Sequence, residues 1–194
     1  MNDEYDLIVL GGGPVGENVA DRAVQGGLTA LIVESELVGG ECSYWACMPS
    51  KALLRSPQVL RAAQNVGGSA EAATGALDVA AVPRRRDEFT SHWNDDGQVA
   101  WLDSAGIDLV RGHGRLSGER QVTVTTPEGT VRVLTARHAV AISTGSDAAL
   151  PPIPGLAGVG AWTSREATSA EEIPASLVII GGGVVAVEMA TAYA

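Results

Sequence analysis

Cys42 and Cys47 are the only cysteines in the 194-residue chain, and Lys51, four residues past the second, is its only lysine. All other fixed positive charge is arginine. Two thiols five positions apart with an amine just beyond them have the makings of a redox couple beside a cation. The stretch Ala52 to Ala63 that follows has helical character. On a regular helix, residues five apart point about 140° from one another, whereas a disulfide needs Cα atoms closer than roughly 7 Å. A Cys42–Cys47 bridge is therefore expected to be strained, and strained bridges are the readily reduced ones. A helix N-terminus also activates nearby thiols. The same residues allow three other readings. One is a structural bridge, although so short a loop gains little entropy from closure. The others are a pair of inert thiols, or half of a zinc site drawing on His92, His113 or His138, none of which has ligand spacing.

Composition narrows the field. The net charge of −10 disfavours nucleic acid or an anionic membrane surface as the main partner. The triplet Arg84-Arg85-Arg86 is a local exception and reads as a solvated helix start. The acidic opening, Met1 to Asp6, is unlike a signal peptide, and no apolar run is long enough to span a bilayer. One close cysteine pair without a leader leads to an expectation of a reducing, cytoplasmic setting.

Several elements must position the thiols. Tyr5 to Leu10 is an apolar run without helical spacing, which predicts a buried parallel strand. Gly11-Gly12-Gly13-Pro14-Val15-Gly16 follows at once and matches G-x-G-x-x-G at Gly11, Gly13 and Gly16. A helix is predicted from about Val15 to Gln25, then a strand from Thr29 to Val33 that ends at Glu34. Strand, glycine loop, helix, strand and terminal acid together form a dinucleotide-binding fingerprint. In it Gly11 permits the tight turn, Gly13 lets backbone N–H groups approach a pyrophosphate, and Gly16 lets helix and strand pack closely. The helix N-terminus favours phosphate charge, and Glu34 can accept bonds from ribose hydroxyls while repelling a 2′-phosphate.

Beyond the cysteines a helix is expected to about Gln64, then a loop from Asn65 to Gly75. A single long helix is predicted from Val82 or Pro83 to about Ala105, with Phe89, Trp93 and Trp101 packed against the domain and Gly106 as its stop. Strands at Ile107 to Val110, Gly112 to Leu116, Gln121 to Thr126 and Val131 to Leu134 predict an antiparallel meander, with a separate buried strand at Ala139 to Ile142. Pro151 to Gly155 reads as a linker. The opening pattern then recurs, with an apolar strand predicted at Leu177 to Ile180, Gly181-Gly182-Gly183 with Ala186 in the third glycine position, and a helix from Val184. One strand and one helix cannot bury a core, so the sequence reads as a piece of a longer protein that lacks turnover by itself.

With two fingerprints and a dithiol between them, the sequence resembles the flavoprotein pyridine nucleotide–disulfide oxidoreductases. The matching pieces are Gly11 to Gly16, the Gly39-Gly40-x-Cys42-x4-Cys47-x-Pro-Ser-Lys51 block, Ser143-Thr144-Gly145-Ser146, Ile153-Pro154-Gly155, and Gly181-Gly182-Gly183-x-x-Ala186-x-Glu188. The resemblance implies an α/β fold in which a Rossmann-like FAD-binding domain with a small antiparallel β-meander precedes the start of a second, NAD(P)-binding Rossmann-like domain. Its boundaries would be 1–150, a linker at 151–176, and 177–194. It implies FAD and NAD(P)H as cofactors, contacted by Gly11, Gly13, Pro14, Val15, Gly16, Glu34, Ser35, Gly39, Gly40, Glu41, His113, Gly114, Ser143, Thr144 and Gly145 in the first part. Gly181, Gly183, Ala186 and Glu188 would serve in the second.

By the same resemblance Cys42 is the interchange thiol that meets substrate and Cys47 the thiol that exchanges electrons with the flavin. Lys51, paired with Glu188, stabilises negative charge there. Electrons would pass from NAD(P)H through FAD and a Cys42–Cys47 disulfide to a small-molecule or small-protein disulfide, in a homodimer without nucleic-acid or membrane partners. Glu41 and the loop Ser43-Tyr44-Trp45-Ala46 depart from the family pattern and leave the substrate open. Two alternatives stand beside this reading: an NAD(P)H-dependent quinone or metal-ion reductase, and a non-catalytic FAD-binding fragment.

Overall fold

The computed structural model describes residues 2–194. In chain order its elements are β1 (Glu4–Leu10), α1 (Pro14–Gln25), β2 (Ala30–Glu34), α2 (Gly40–Tyr44), α3 (Cys47–Gln64), α4 (Ala81–Phe89), α5 (Asp96–Ser104), β3 (Ile107–Arg111), β4 (His113–Gly118), β5 (Gln121–Thr125), β6 (Val131–Ile142), α6 (Ser164–Ser169) and α7 (Val184–Tyr193). Short 3-10 turns occupy Ser91–Trp93 and Leu156–Gly158. No helix among the described residues is long and apolar enough to cross a membrane. The chain divides into two compact units, one running to Cys42 and resuming over Trp93–Ser146, the other formed by Ser43–His92 and Asp147–Ala194.

The first unit is a six-stranded sheet in the order β3-β2-β1-β6-β5-β4. β3, β2, β1 and the C-terminal part of β6 run parallel, while β5 and β4 are antiparallel. Parallel neighbours need a crossover between them, and α1 supplies the one from β1 to β2. Both faces of β1 are buried, which explains its unbroken apolar run. Ile8 and Leu10 enter one core with Leu31, Val33, Val110, Val122, Val124 and Leu134. Val9 enters the other with Ala20 of α1, Ile32, Val38, Ile107 and Leu102 of α5. The alternation of side chains along a strand thus assigns one face to the helices and the other to the meander.

The second unit is helical. Leu53, Val82, Ala167 and Met189 form its small core, with Leu77, Ala192 and Tyr193 packed against it. Arg86 is 2% exposed, with its guanidinium donating to the carbonyls of Thr168 (3.0 Å) and Ala170 (2.9 Å). The expectation of a solvated arginine triplet therefore fails at its third member. Arg86 lies four residues after Val82, and that spacing puts both on the buried face of α4.

Five other expectations are corrected. The single helix predicted to about Ala105 is broken between α4 and α5, where Ser91, His92 and Trp93 all have positive φ, at 51°, 53° and 55°. Its aromatics are not all packed inside, since Phe89 and Trp101 are 45% and 40% exposed. The strands predicted at Val131–Leu134 and Ala139–Ile142 are one strand, β6, which pairs with β5 through its first half and β1 through its second. Its intervening polar residues are matched locally, with Arg137 donating to Asp6 at 2.7 Å. Ala139 and Ile142 are exposed rather than buried. The strand predicted at Leu177 to Ile180 does not form; those residues have no ladder partner, and Val178 is 90% exposed.

Candidate functional site

In the first unit the glycine loop lies where β1, β2 and β6 end. Gly11 donates to Val33 O at 2.9 Å, and Ser143, just after β6, donates to Leu10 O at 2.8 Å. Gly11 has φ +99°, and a Cβ there would come within 2.3 Å of Ser143 O. A Cβ on Gly16 would stand 1.9 Å from Gly11 O, so α1 can approach β1 only through a glycine. Gly39 donates to Gly12 O at 2.7 Å, and a Cβ on Gly40 would sit 2.9 Å from Gly13 Cα. The segment after β2 is thereby pressed against the loop. Gly114 is equally constrained, since a Cβ would lie 2.8 Å from Leu10 Cδ2.

Glu34 closes this cradle. It is 9% exposed, and its carboxylate accepts from Gly12 N at 2.6 Å and Glu36 N at 2.7 Å. Each oxygen takes one of these bonds, which leaves capacity for further donors. The segment from Glu36 to Val38 is held by two residues that the sequence reading missed. Asp95 accepts from Val38 N at 2.7 Å, and Arg111 pairs with Asp95 and donates to Glu36 O at 2.6 Å. Asp95 caps no obvious motif; the one sequence signal was an acid directly before a helix start. Gly13 is the N-cap of α1, Pro14 its first residue, and no side chain caps it. Val15 is exposed there, as are Ser35 beyond β2, His113 at the start of β4, and Thr144 and Gly145 beyond Ser143. A helix N-terminus without a side-chain cap, a glycine-lined approach and a carboxylate at the end of the next strand fit the adenosine and pyrophosphate of a dinucleotide.

The cysteine stretch is helical, although no apolar periodicity announced it. Glu41 and Cys42 are half-buried in α2, and Cys47 is the exposed first residue of α3. The two cysteine sulfurs are not bonded to one another. Cys47 follows Ala46, the N-cap, which has φ −137° and ψ −95° and offers no side-chain cap. Lys51 stands four residues on, on the same face of α3.

In the second unit Lys51 and Glu188 come together, with Lys51 Nζ 2.5 Å from Glu188 Oε1. The ammonium beside it holds the Glu188 carboxyl below the usual carboxylate range. Glu188 projects from α7 and Lys51 from α3, so the pair joins the two predicted catalytic charges. Ala186 is half-buried on α7, whereas Gly181 and Gly183 are exposed, and a Cβ added at either would meet nothing within 4 Å. Between the cysteines Tyr44 is 1% exposed and Trp45 is covered by the Arg165 guanidinium, 4.0 Å from its ring centroid. The bulk of this loop is thus turned partly into the protein.

The family described as pyridine nucleotide-disulphide oxidoreductase matches residues 5–194. The dihydrolipoyl dehydrogenase of Chlorobaculum tepidum is 38% identical over 195 residues, covering 98% of this chain and 40% of the relative. The mercuric reductase of Staphylococcus aureus is 30% identical over 187 residues, covering 96% of this chain and 33% of the relative. Among solved structures, the Cu(II) complex of the HOCl-induced flavoprotein disulfide reductase RclA from Escherichia coli has the same fold, with a TM-score of 0.81 at 24% identity. That match covers 100% of this chain and 40% of RclA. The chain therefore spans about two-fifths of the length of such relatives.

Proposed function

Because the chain belongs to the pyridine nucleotide–disulphide oxidoreductase family, we propose that it forms the part of a flavoprotein that binds the adenosine side of FAD and carries a redox-active Cys42/Cys47 pair. Members of this family use FAD and NAD(P)H. The observation that carries the reading is α3, which opens with Cys47 and sets Lys51 one turn on, with its ammonium held by Glu188. The glycine cradle and Glu34 support the FAD half of the proposal. Residues 1–150 would supply the FAD-binding domain, 151–176 a linker, and 177–194 the start of the NAD(P)-binding domain.

FAD, when bound, supplies a two-electron carrier between a pyridine nucleotide and a dithiol. The chain's own residues hold it and handle the thiols. Glu34 would accept the ribose hydroxyls and the N-terminus of α1 would hold the pyrophosphate, with Gly13 leaving the approach free of a side chain. Cys42 and Cys47 alternate between a disulfide and two thiols, a change of two electrons and two protons. As dithiol, Cys42 attacks a disulfide substrate, and Cys47 then displaces the reduced product from the mixed disulfide. Lys51 supplies a fixed positive charge near the N-terminus of α3, and Glu188 keeps its side chain from swinging freely. An electrostatic role of this kind needs a charge that is already in place. Tyr44 and Trp45 replace the smaller residues of the usual loop, so the substrate class is a disulfide of unassigned structure.

The test is an anaerobic addition of one equivalent of NADPH, and in parallel NADH, to the full-length protein, followed by thiol counting. Two new thiols per electron pair, lost in Cys42→Ser, is the expected result. Flavin bleaching without new thiols would overturn the dithiol reading. Electron transfer to a quinone or a metal ion would then replace it; the 30% identity to a mercuric reductase makes a metal ion the first acceptor to try.

A further inference from the structure

The arginine triplet of α4 has no part in the function proposed above. Its third member faces the core, and its first, Arg84, is exposed with a guanidinium nitrogen 3.7 Å from Asp78. Arg85 differs from both. It lies four residues before Phe89, and that spacing sets its guanidinium over the Phe89 ring, 4.0 Å from the centroid. Its Nη1 is closed off from solvent and meets no hydrogen-bond acceptor among the described residues. A buried donor left without an acceptor is costly, and an anion is the partner that relieves a guanidinium best.

Arg85 forms one wall of a groove of about 530 Å³, and Arg55, Ser56, Val59, Leu60 and Ala63 of α3 form the other. All of them belong to the helical unit. The α3 positions follow the pattern i, i+1, i+4, i+5, i+8, which is a single stripe along a helix. The stripe is sorted along its length. Arg55 and Ser56 bring a cation and a hydroxyl to one end, and Val59, Leu60 and Ala63 are apolar over the rest, about 12 Å of helix in all. Arg55 is exposed and has no ion pair among the described residues. Across Ser43–His92 six lysines and arginines stand against four carboxylates, in a chain whose net charge is −10. The groove thus lies in a basic island.

A purely ionic ligand would leave the apolar end of this groove unused, and a neutral apolar one would leave both guanidiniums unanswered. We propose that the groove between α3 and α4 binds a small amphiphilic carboxylate, its head toward Arg55, Ser56 and Arg85 and its unbranched tail along Val59, Leu60 and Ala63. A cavity of this size is ordinary for a small-molecule site. A guanidinium fork matches a carboxylate in shape as well as charge. The stack on Phe89 holds the Arg85 fork in advance, which lowers the cost of ordering it on binding. No bond is made or broken, and neither cysteine takes part, so the proposal does not depend on the dithiol reading.

The experiment titrates sodium octanoate into the flavin-loaded, full-length protein and follows the heat by calorimetry. Saturable binding with a dissociation constant of about 1 mM or tighter is the expected result. Octanol, which lacks the charge, and inorganic phosphate, which lacks the tail, should each bind at least about tenfold more weakly. Lengthening the tail from hexanoate to octanoate should tighten binding by about tenfold. Arg85→Gln should weaken octanoate by about tenfold or more, and Arg55→Gln, at an exposed position, by about threefold. Arg85→Lys, which keeps the charge without the fork, should fall between the wild type and Arg85→Gln. If Arg85→Gln does not fold, Arg55→Gln carries the test. Octanol binding as tightly as octanoate, or a change of less than twofold in every arginine variant that folds, overturns the carboxylate head. Phosphate binding as tightly as octanoate overturns the tail. No saturable octanoate binding overturns the proposal outright; if Val59→Asp then lowers the mass seen by light scattering, a second copy of the chain fills the groove instead.

Discussion

The two glycine-rich stretches have nearly the same local backbone and opposite surroundings. Gly11 and Gly181 both have strongly positive φ, at 99° and 103°. Gly13 and Gly183 are both extended N-caps, with φ of −78° and −74°, and a helix follows each. Around the first, added Cβ atoms would collide with backbone at 2.3 Å and 1.9 Å, at Gly11 and Gly16; around Gly181, Gly182 and Gly183 they would meet nothing within 4 Å. β1 precedes the first stretch, and no strand directly precedes the second. The turn and the helix start are thus written locally, whereas the strand and the steric demand for glycine come from neighbours. Ser143 and Gly11 itself supply that demand in the first unit.

The sharpest way to break this comparison is one substitution in each stretch of the 194-residue chain, at the most crowded glycine of the first, Gly16, and at an open one of the second, Gly183. Neither Gly16 nor Gly183 has positive φ, so alanine at each tests packing alone. Gly16→Ala is expected to cost at least about 3 kcal/mol in urea unfolding, with loss of FAD binding. Gly183→Ala, at an N-cap with open space around it, should cost no more than about 1 kcal/mol. Equal costs would mean that the crowding around Gly16 does not set its demand for glycine.

Next in size is a test inside the helical unit. Arg86→Met removes the donor to two carbonyls, those of Thr168 and Ala170, and is expected to cost about 2–4 kcal/mol. Hydrogen exchange should quicken in α6 while the amides of β1 and β2 keep their protection. A uniform loss of protection would show that the two units do not unfold separately.

The sheet unit has an alkaline signature of its own. Tyr5 is buried and donates to Asp108 at 2.5 Å, and burial first, then that bond, pushes its hydroxyl up to about 12 from 10.0. The folded state therefore holds this proton where the unfolded chain has released it. The resulting stability is complete below pH 10 and is lost as pH rises toward 12, by roughly 2–3 kcal/mol. Tyr5→Phe should flatten that limb of the stability profile, and an unchanged limb would assign it to other groups.

The smallest effect is expected at the Lys51–Glu188 pair. Glu188 titrates below its usual range, so its contribution is present at neutral pH and is lost as pH falls through the folded value. The Lys51 side chain is 62% exposed, which screens the pair. Glu188→Gln should change stability by less than about 0.5 kcal/mol, and less still in high salt. A large loss would make the pair a structural tie rather than a held charge.

Legibility in the sequence follows the same division. The β1–α1–β2 unit and Glu34 could be read because each signal is local: an apolar run, spaced glycines, an acid at a strand end. The predicted Lys51–Glu188 pairing also met in space, but it was suggested by family likeness rather than by any physical signal across so many residues. What escaped depends on partners distant in sequence. Ser91, His92 and Trp93 carry no glycine or asparagine to announce three left-handed residues, so the break between α4 and α5 was invisible. Arg137 and His138 look like a gap between strands, yet β6 runs through them, with Arg137 bonded to Asp6. Asp95 and Arg111 could be linked to Glu34 only once β2 and β3 were known to be adjacent. Arg86 was hidden by its two charged neighbours.

The bonds of Asp95 and Arg111 to the Glu36–Val38 segment have a kinetic consequence. β2 and β3 are partners in the sheet, yet roughly 70 residues separate them along the chain, among them Ser43–His92 of the other unit. Bringing their ends together costs about 4 kcal/mol of loop-closure entropy before any ladder bond returns it. Pairing of β1 with β2 spans far less chain and should come first, leaving β3 to dock late. Asp95 and Arg111 then act as a latch at the mouth of that long excursion. Weakening it should chiefly slow refolding if the latch forms in the transition state, or chiefly hasten unfolding if it closes afterwards.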